Sequence, residues 1–249
     1  MDNMIEVRME RSSKDRGFSL VEMGVVLVII SLIIGSVIAG QDMIRAAKVK
    51  SVVSQLEEFQ GSYGVFVEKY HANPGDYRYA NIYLGSTAGE IGNGNGRINW
   101  NGLVGANYEG PMAWYHMRLA GLINGPYGTI LNSLDGVPGS VVPAAKMGGD
   151  GSGFYMDYDA TPGIATYGGA MGNFMGLGGF GGAGTGINDD AVLTSIDSEN
   201  IDRKLDDGLP KAGIIYAIQA SAVANSCLTG SAYTLNVELV ACRLMYKLD

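Results

Sequence analysis

A chain of 249 residues with a formal net charge of −8 is long enough for one globular domain with its own core plus terminal segments. Its acid balance excludes a broadly basic surface, so no nucleic acid is expected as a partner. The 38 glycines stand among only 17% charged residues, with tyrosine, leucine and isoleucine spread throughout, a composition of long loops more than of disorder.

The first 17 residues are hydrophilic and hold four basic and four acidic side chains, so their removal would leave the charge unchanged. At Phe18 the composition changes abruptly, and after Glu22 no charge appears until Asp42. The apolar run is long enough to cross a hydrocarbon core of about 30 Å as a helix rising ~1.5 Å per residue. It is not built as a secretory signal peptide, because Gly17-Phe18 occupies the charged-to-apolar boundary and no small-residue cleavage site follows the run. Arg11, Lys14 and Arg16 before it nearly balance Arg45, Lys48 and Lys50 after it, so charge leaves the orientation open. Ser31, Gly35 and Ala39 form a small-residue stripe that either lets helix backbones approach closely or merely fills an apolar span.

A hydrophilic leader ending in Gly17, Phe18 behind it, the pattern Phe18-Ser19-Leu20-Val21-Glu22 and the apolar helix occur here in fixed order. In these residues the chain resembles the type IV pilin superfamily, which includes type II secretion pseudopilins and competence pilins. The resemblance implies cleavage between Gly17 and Phe18 by a membrane prepilin peptidase, N-methylation of Phe18 by the same peptidase/methyltransferase, and a stem that polymerises. It also implies a cytoplasmic N-terminus, a single pass through the inner membrane and a periplasmic head before assembly. The assembled location would be an extracellular pilus or a periplasmic pseudopilus, reached through an inner-membrane assembly platform. An ionisable side chain at the edge of an apolar span costs several kcal/mol unless it is partnered. For Glu22 the resemblance supplies a partner, the amine of Phe18 on a neighbouring subunit, making it an assembly residue.

Beyond Gly40 the helical pattern continues through Val49, Val52, Val53, Leu56, Phe59, Tyr63, Phe66, Val67 and Tyr70 at spacings of three and four. The expected organisation is a leader over 1–17, a transmembrane and polymerisation helix over 18–40, an amphipathic half-stem over 41–72 and a head over 73–249. Asn73-Pro74-Gly75-Asp76 should end the helix near His71. The stretch from Asp76 to Tyr108, with Gly92-Asn93-Gly94-Asn95-Gly96, reads as a connecting loop. Pro111 to Ala120 should be a short helix stopped by Gly121, with Trp114, Met117 and Leu119 packing and His116 a surface or packing residue.

The glycine-rich stretch 148–186 reads as a long surface loop anchored by Phe154, Tyr155, Tyr158, Tyr167, Phe174 and Phe180, and as the display surface. Within it, the G-x-G-x-x-G match from Gly176 to Gly181 is discounted, since no strand precedes it. Thr194 with Asp197 makes a capping-box-like start to a helix whose Ile201 and Leu205 share a face and which Gly208 stops. Asp206 and Asp207 stand where the helix dipole disfavours anions. Either they belong to a solvated turn, or Asp202, Asp206 and Asp207 meet a lysine or a calcium ion; no other cofactor is expected.

Gly213 to Ile218, Tyr233 to Val240 and Ala241 to Leu248 read as antiparallel strands, the last half-buried, with Cys242, Leu244, Tyr246 and Leu248 alternating with Arg243, Met245 and Lys247. Cys227 and Cys242 are an even pair on the expected exported side and read as a disulfide. No Ser-His-Asp, Cys-His or metal-ligand spacing indicates an enzyme. The expected fold is α+β, a pilin fold with a long N-terminal helix packed on a C-terminal antiparallel sheet. The expected function is that of a filament subunit, as pilin, pseudopilin or minor pilin at a filament tip.

Overall fold

In the computed structural model the described residues are 17–99, 108–128, 136–149, 151–159, 172–179, 190–220 and 224–248. Residues 1–16 of the leader and Tyr167, Phe180 and Gly181, singled out above, lie outside them. The chain divides into two compact units, one ending at Arg45 and one beginning at Ala46. Its elements in order are α1 (Leu20–Tyr70), α2 (Ala80–Tyr83), α3 (Glu109–Leu119), β1 (Ser152–Asp159), β2 (Gly172–Gly179), β3 (Leu193–Thr194), α4 (Ser195–Leu205), β4 (Ile215–Gln219), β5 (Leu228–Thr229), β6 (Ala232–Tyr233) and β7 (Val240–Lys247).

In the first unit no side chain from Gly17 to Arg45 is buried. In the second, α1 buries Val49, Val52, Leu56, Phe59, Ser62, Tyr63 and Phe66, whose spacings of three and four keep them on one face. The helix stops where the turn residues require. His71 takes a positive φ of 50° and Gly75 one of 82°, and a Cβ on Gly75 would lie 2.1 Å from the Glu109 carbonyl oxygen. Both the dihedral and the close approach demand glycine. Helix α3 forms as expected, with Pro111 in its first turn and Gly121 at φ 72° beyond its end. Trp114 and Met117 are buried and Leu119 is half-buried. The short α2 is an addition to the connecting loop read from sequence.

Five strands form one antiparallel sheet with β7 at its centre. β4 runs along one edge of β7, pairing Ile215 with Tyr246 and Gln219 with Cys242. β2 and then β3 share the other edge, pairing Leu177 with Leu244 and Leu193 with Cys242, and β1 lies outside β2 with Phe154 opposite Leu177. β5 and β6 make a separate hairpin.

This topology corrects the glycine-rich stretch 148–186, which is not simply a surface loop, because β1 and β2 lie within it and are buried along most of their length. The glycines serve close packing. Tyr155 lies opposite Gly176, and a Cβ on Gly176 would stand 2.0 Å from the Tyr155 Cζ. The aromatic ring therefore fills the space that a side chain would need. Phe154 and Tyr155 face opposite sides of the sheet, as successive strand residues must. Both are fully buried.

Two further strand readings are corrected. Tyr233 to Val240 is a strand only at Ala232–Tyr233 and again from Val240. Its alternating Leu235, Val237 and Leu239 imitate a strand, yet among the described residues the segment between has no ladder partner, and Leu235 and Leu239 are exposed. β7 is buried from Ala241 through Tyr246, both faces included, and is not half-buried, because other elements of the head, α4 among them, pack against it. Cys227 and Cys242 are disulfide-bonded, with Cα atoms 5.2 Å apart, and both are fully buried.

Two outcomes follow for the stability of the head. Gly176→Ala should destabilise by about 1–3 kcal/mol through overpacking, and Tyr155→Leu in the same chain should restore part of the loss, as read by thermal unfolding. Replacing Cys227 and Cys242 by serine should remove on the order of 3 kcal/mol, the chain-entropy value for a loop of about 15 residues, which chemical denaturation under oxidising conditions would measure.

Candidate assembly site and its neighbours

Glu22 occupies the first turn of α1. The Ser19 backbone N–H donates to Glu22 Oε2 at 2.8 Å, and the Glu22 backbone N–H donates to Ser19 Oγ at 3.3 Å. This is a reciprocal capping box, in which two of the donors orphaned at a helix N-terminus are satisfied by two side chains. The carboxylate also lies at the positive end of the helix dipole. A carboxylate has about four acceptor positions, so capacity remains for a second donor. Sequence reasoning singled out Glu22 and placed Ser19 in the same pattern, but missed the capping role of Ser19. The signal was Ser19-x-x-Glu22 immediately before an apolar run.

Phe18 is exposed, and the large apolar side chains Leu20, Val21, Met23, Val25 to Ile30, Leu32 to Ile34, Val37, Ile38, Met43 and Ile44 are exposed with it. α1 is long and apolar enough to cross a membrane. Residues 12–38 match the prokaryotic N-terminal methylation motif, a signature of type IV pilins and pseudopilins. The match takes in Gly17, Phe18, Ser19 and Glu22. With the long N-terminal helix and the C-terminal antiparallel sheet, the architecture is consistent with an α+β pilin fold. The motif supports a type IV pilin-like or pseudopilin precursor, and with the apolar helix it fits membrane anchoring before assembly. No curated protein and no solved structure matches the chain.

The acidic residues after α4 do come together, with carboxylate oxygens of Asp202, Asp206 and Asp207 within 4.8 Å of one another. Each accepts a hydrogen bond. Asp202, fully buried, accepts from the Tyr233 hydroxyl at 2.7 Å and the Gly208 N–H at 3.1 Å. Asp206 accepts from the backbone N–H groups of Ile214 and Ile215, and Asp207 accepts from the Leu209 N–H at 2.8 Å. Burial raises the Asp202 pKa against the opposing pull of Tyr233 and Gly208, and burial beside Asp202 raises that of Tyr233. The conflict with the helix dipole is thus resolved locally. These anions meet N–H donors of the following turn instead of facing only the carbonyl end of α4.

A second set of buried polar groups holds the connection between α1 and α3. The loop Gly92–Gly96 wraps the Asp76 carboxylate, which accepts the N–H groups of Gly94, Asn95 and Gly96. Glu109, fully buried at the start of α3, accepts the N–H groups of Asn93 and Asn99, both at 3.0 Å. Asn73 and Asn173 each donate to the Gly96 carbonyl. Neither Asp76 nor Glu109 was singled out from sequence, because nothing in their spacing reveals that backbone donors 10 to 20 residues away converge on them. Burial pushes the Glu109 carboxyl up to about 7, against the amides of Asn99 and Asn93 and with the help of Asp76.

A raised native pKa stabilises the fold fully below the unfolded value of 4.5 and loses that contribution as pH rises through about 7. Glu109→Gln should therefore make the slope of head stability against pH more positive between about 4.5 and 7, as read by chemical denaturation. It should also lower overall stability by about 1–3 kcal/mol, since an amide NH₂ would confront Asn93 or Asn99 N–H.

Proposed function

We propose that the chain is a structural subunit, cut after Gly17 and N-methylated at Phe18, that polymerises through its N-terminal helix into a type IV pilus-like filament. The supporting observation is the methylation motif over residues 12–38 on a helix whose apolar side chains through Ile44 are uncovered by their own chain. Such a surface requires lipid before assembly and other copies of the same helix after it. Its processing partner is the prepilin peptidase/methyltransferase and its assembly partner an inner-membrane platform. The head is exported, in keeping with a buried disulfide.

In this reading Glu22 keeps its Ser19 contact in the single subunit and gains the Phe18 amine of a neighbour at the correct axial height. The pair sets register more than it adds stability. A periplasmic pseudopilus uses the same stem and differs in where the filament ends, so a filament outside the cell separates the two outcomes.

Mass spectrometry of the purified subunit should find a chain starting at methylated Phe18, and Gly17→Arg should retain the leader. Any other start would overturn the reading. Glu22→Val should insert and be cut but should assemble poorly when it is the sole subunit. Since it also removes half of the capping box, worth about 1 kcal/mol, Ser19→Ala is the control. That variant frays the same turn and keeps the carboxylate, so its filament yield should stay near the parental one. Equal losses in the two variants would assign Glu22 to capping alone.

A further inference from the structure

His116 is fully buried on α3, and both of its ring nitrogens are used by backbone groups of the connection between α1 and α3. Nδ1 accepts the Gly75 N–H at 3.0 Å, and Nε2 lies 2.9 Å from the Glu90 carbonyl oxygen. A carbonyl can only accept, so Nε2 carries the hydrogen and the ring is the neutral Nε2–H tautomer. An imidazolium has a proton on both nitrogens, and the one on Nδ1 would meet the Gly75 N–H head-on.

We propose that His116 is an acid-sensitive latch, which in its neutral form ties Gly75 and Glu90 to α3 and on protonation at Nδ1 ejects the Gly75 amide and opens the turn between them. Gly75 is closely packed on the α3 side, where a Cβ would lie 2.1 Å from the Glu109 carbonyl oxygen. The segment so held displays Tyr79, Ile82 and Tyr83, which are 52%, 68% and 68% exposed. The latch therefore governs how this apolar surface is presented. It is independent of the filament reading.

Among the described residues, these groups face the ring or stand near it. From α1 comes Phe66, stacked at 6.5 Å between centroids, with Tyr70 and then Tyr77 beyond it. From the connection come Glu90, whose carboxylate accepts from the Thr87 N–H and the Tyr115 hydroxyl, and Asp76, already engaged by three loop amides. On α3 itself are Tyr115, Arg118, whose guanidinium lies over the Tyr115 ring, and Glu109. Burial lowers the His116 pKa to about 4, outweighing the pull of Glu90. The unfolded or opened segment would take up a proton near the ordinary value of 6.5. Stability from this group is thus present above about 6.5 and lost as pH falls toward 4, opposite in sign to Glu109.

Hydrogen exchange of the full chain in detergent, corrected for intrinsic rates, reads the latch locally. Protection of amides between Gly75 and Glu90 should fall about tenfold per pH unit from about 6.5 to about 4, as uptake of one proton dictates, while β4 and β7 hold. His116→Gln, which keeps one donor and one acceptor, should abolish the slope, and Glu109→Gln should leave it. A slope that survives His116→Gln, or one that disappears with Glu109→Gln, would overturn the latch. Should His116→Gln fail to fold, NMR of the parental imidazoles decides. His116 titrating well below the ordinary imidazole value of 6.5, together with the loss of protection, supports the latch, and His116 titrating at that ordinary value refutes it.

Discussion

The Phe59 ring makes edge contacts with Trp114 of α3 at 5.0 Å and with Phe154 of β1 at 5.2 Å. This three-ring joint ties the second half of α1 to both remaining layers of the head. Edge-to-face rings add roughly 0.5–1.5 kcal/mol per pair beyond their buried area, and here the geometry also sets where the sheet lies along the helix. Phe154 shares its row with Leu177, Leu244 and Ala217 across β2, β7 and β4. Contact with one strand is thereby passed to the whole sheet, and the disulfide at Cys242 fastens the far end of β7 to the segment before the β5–β6 hairpin.

Around this core the chain repeatedly uses a carboxylate as the acceptor for backbone N–H groups that no ladder satisfies. Glu22 does so at the start of α1, Asp76 and Glu109 for the Gly92–Asn99 stretch, and Asp202 with Asp206 after α4. Buried donors left unpaired cost about 1–3 kcal/mol each, so irregular segments rich in glycine need such acceptors to be held in one conformation. His116 does the same with a neutral ring, which makes it the one member of this set that acid disables by adding a proton to an acceptor otherwise held neutral.

The two units differ in how their apolar side chains are covered. From Val49 onward one face of α1 is buried, although Val65 remains exposed, whereas up to Arg45 no side chain is buried. Helix propensity and dipole are continuous across that boundary, and only the source of cover changes. An apolar helix surface of this kind needs cover that its own chain does not supply.

Much of the fold was legible because it rests on local signals. The apolar run, the stop at Asn73-Pro74-Gly75, Pro111 and Gly121 around α3, and Thr194 with Asp197 at α4 each depend on residues within a few positions of one another. The cysteine pair was legible because two cysteines allow one pairing. What sequence could not reveal depends on contacts across long separations. The glycines of β2 look like a loop until Tyr155 is seen to fill the space at Gly176, and β7 looks half-buried until the elements packed against it, α4 among them, are in place. Asp76, Glu109 and His116 carry no motif, because their partners are backbone amides and a carbonyl brought in from 10 to 41 residues away. Sequence alone therefore determined the stem, its processing signature and the helix boundaries, where periodicity and capping act locally. Tertiary structure alone decided which strands are central and which polar groups are buried, because side-chain alternation cannot report how many faces of a strand will be covered.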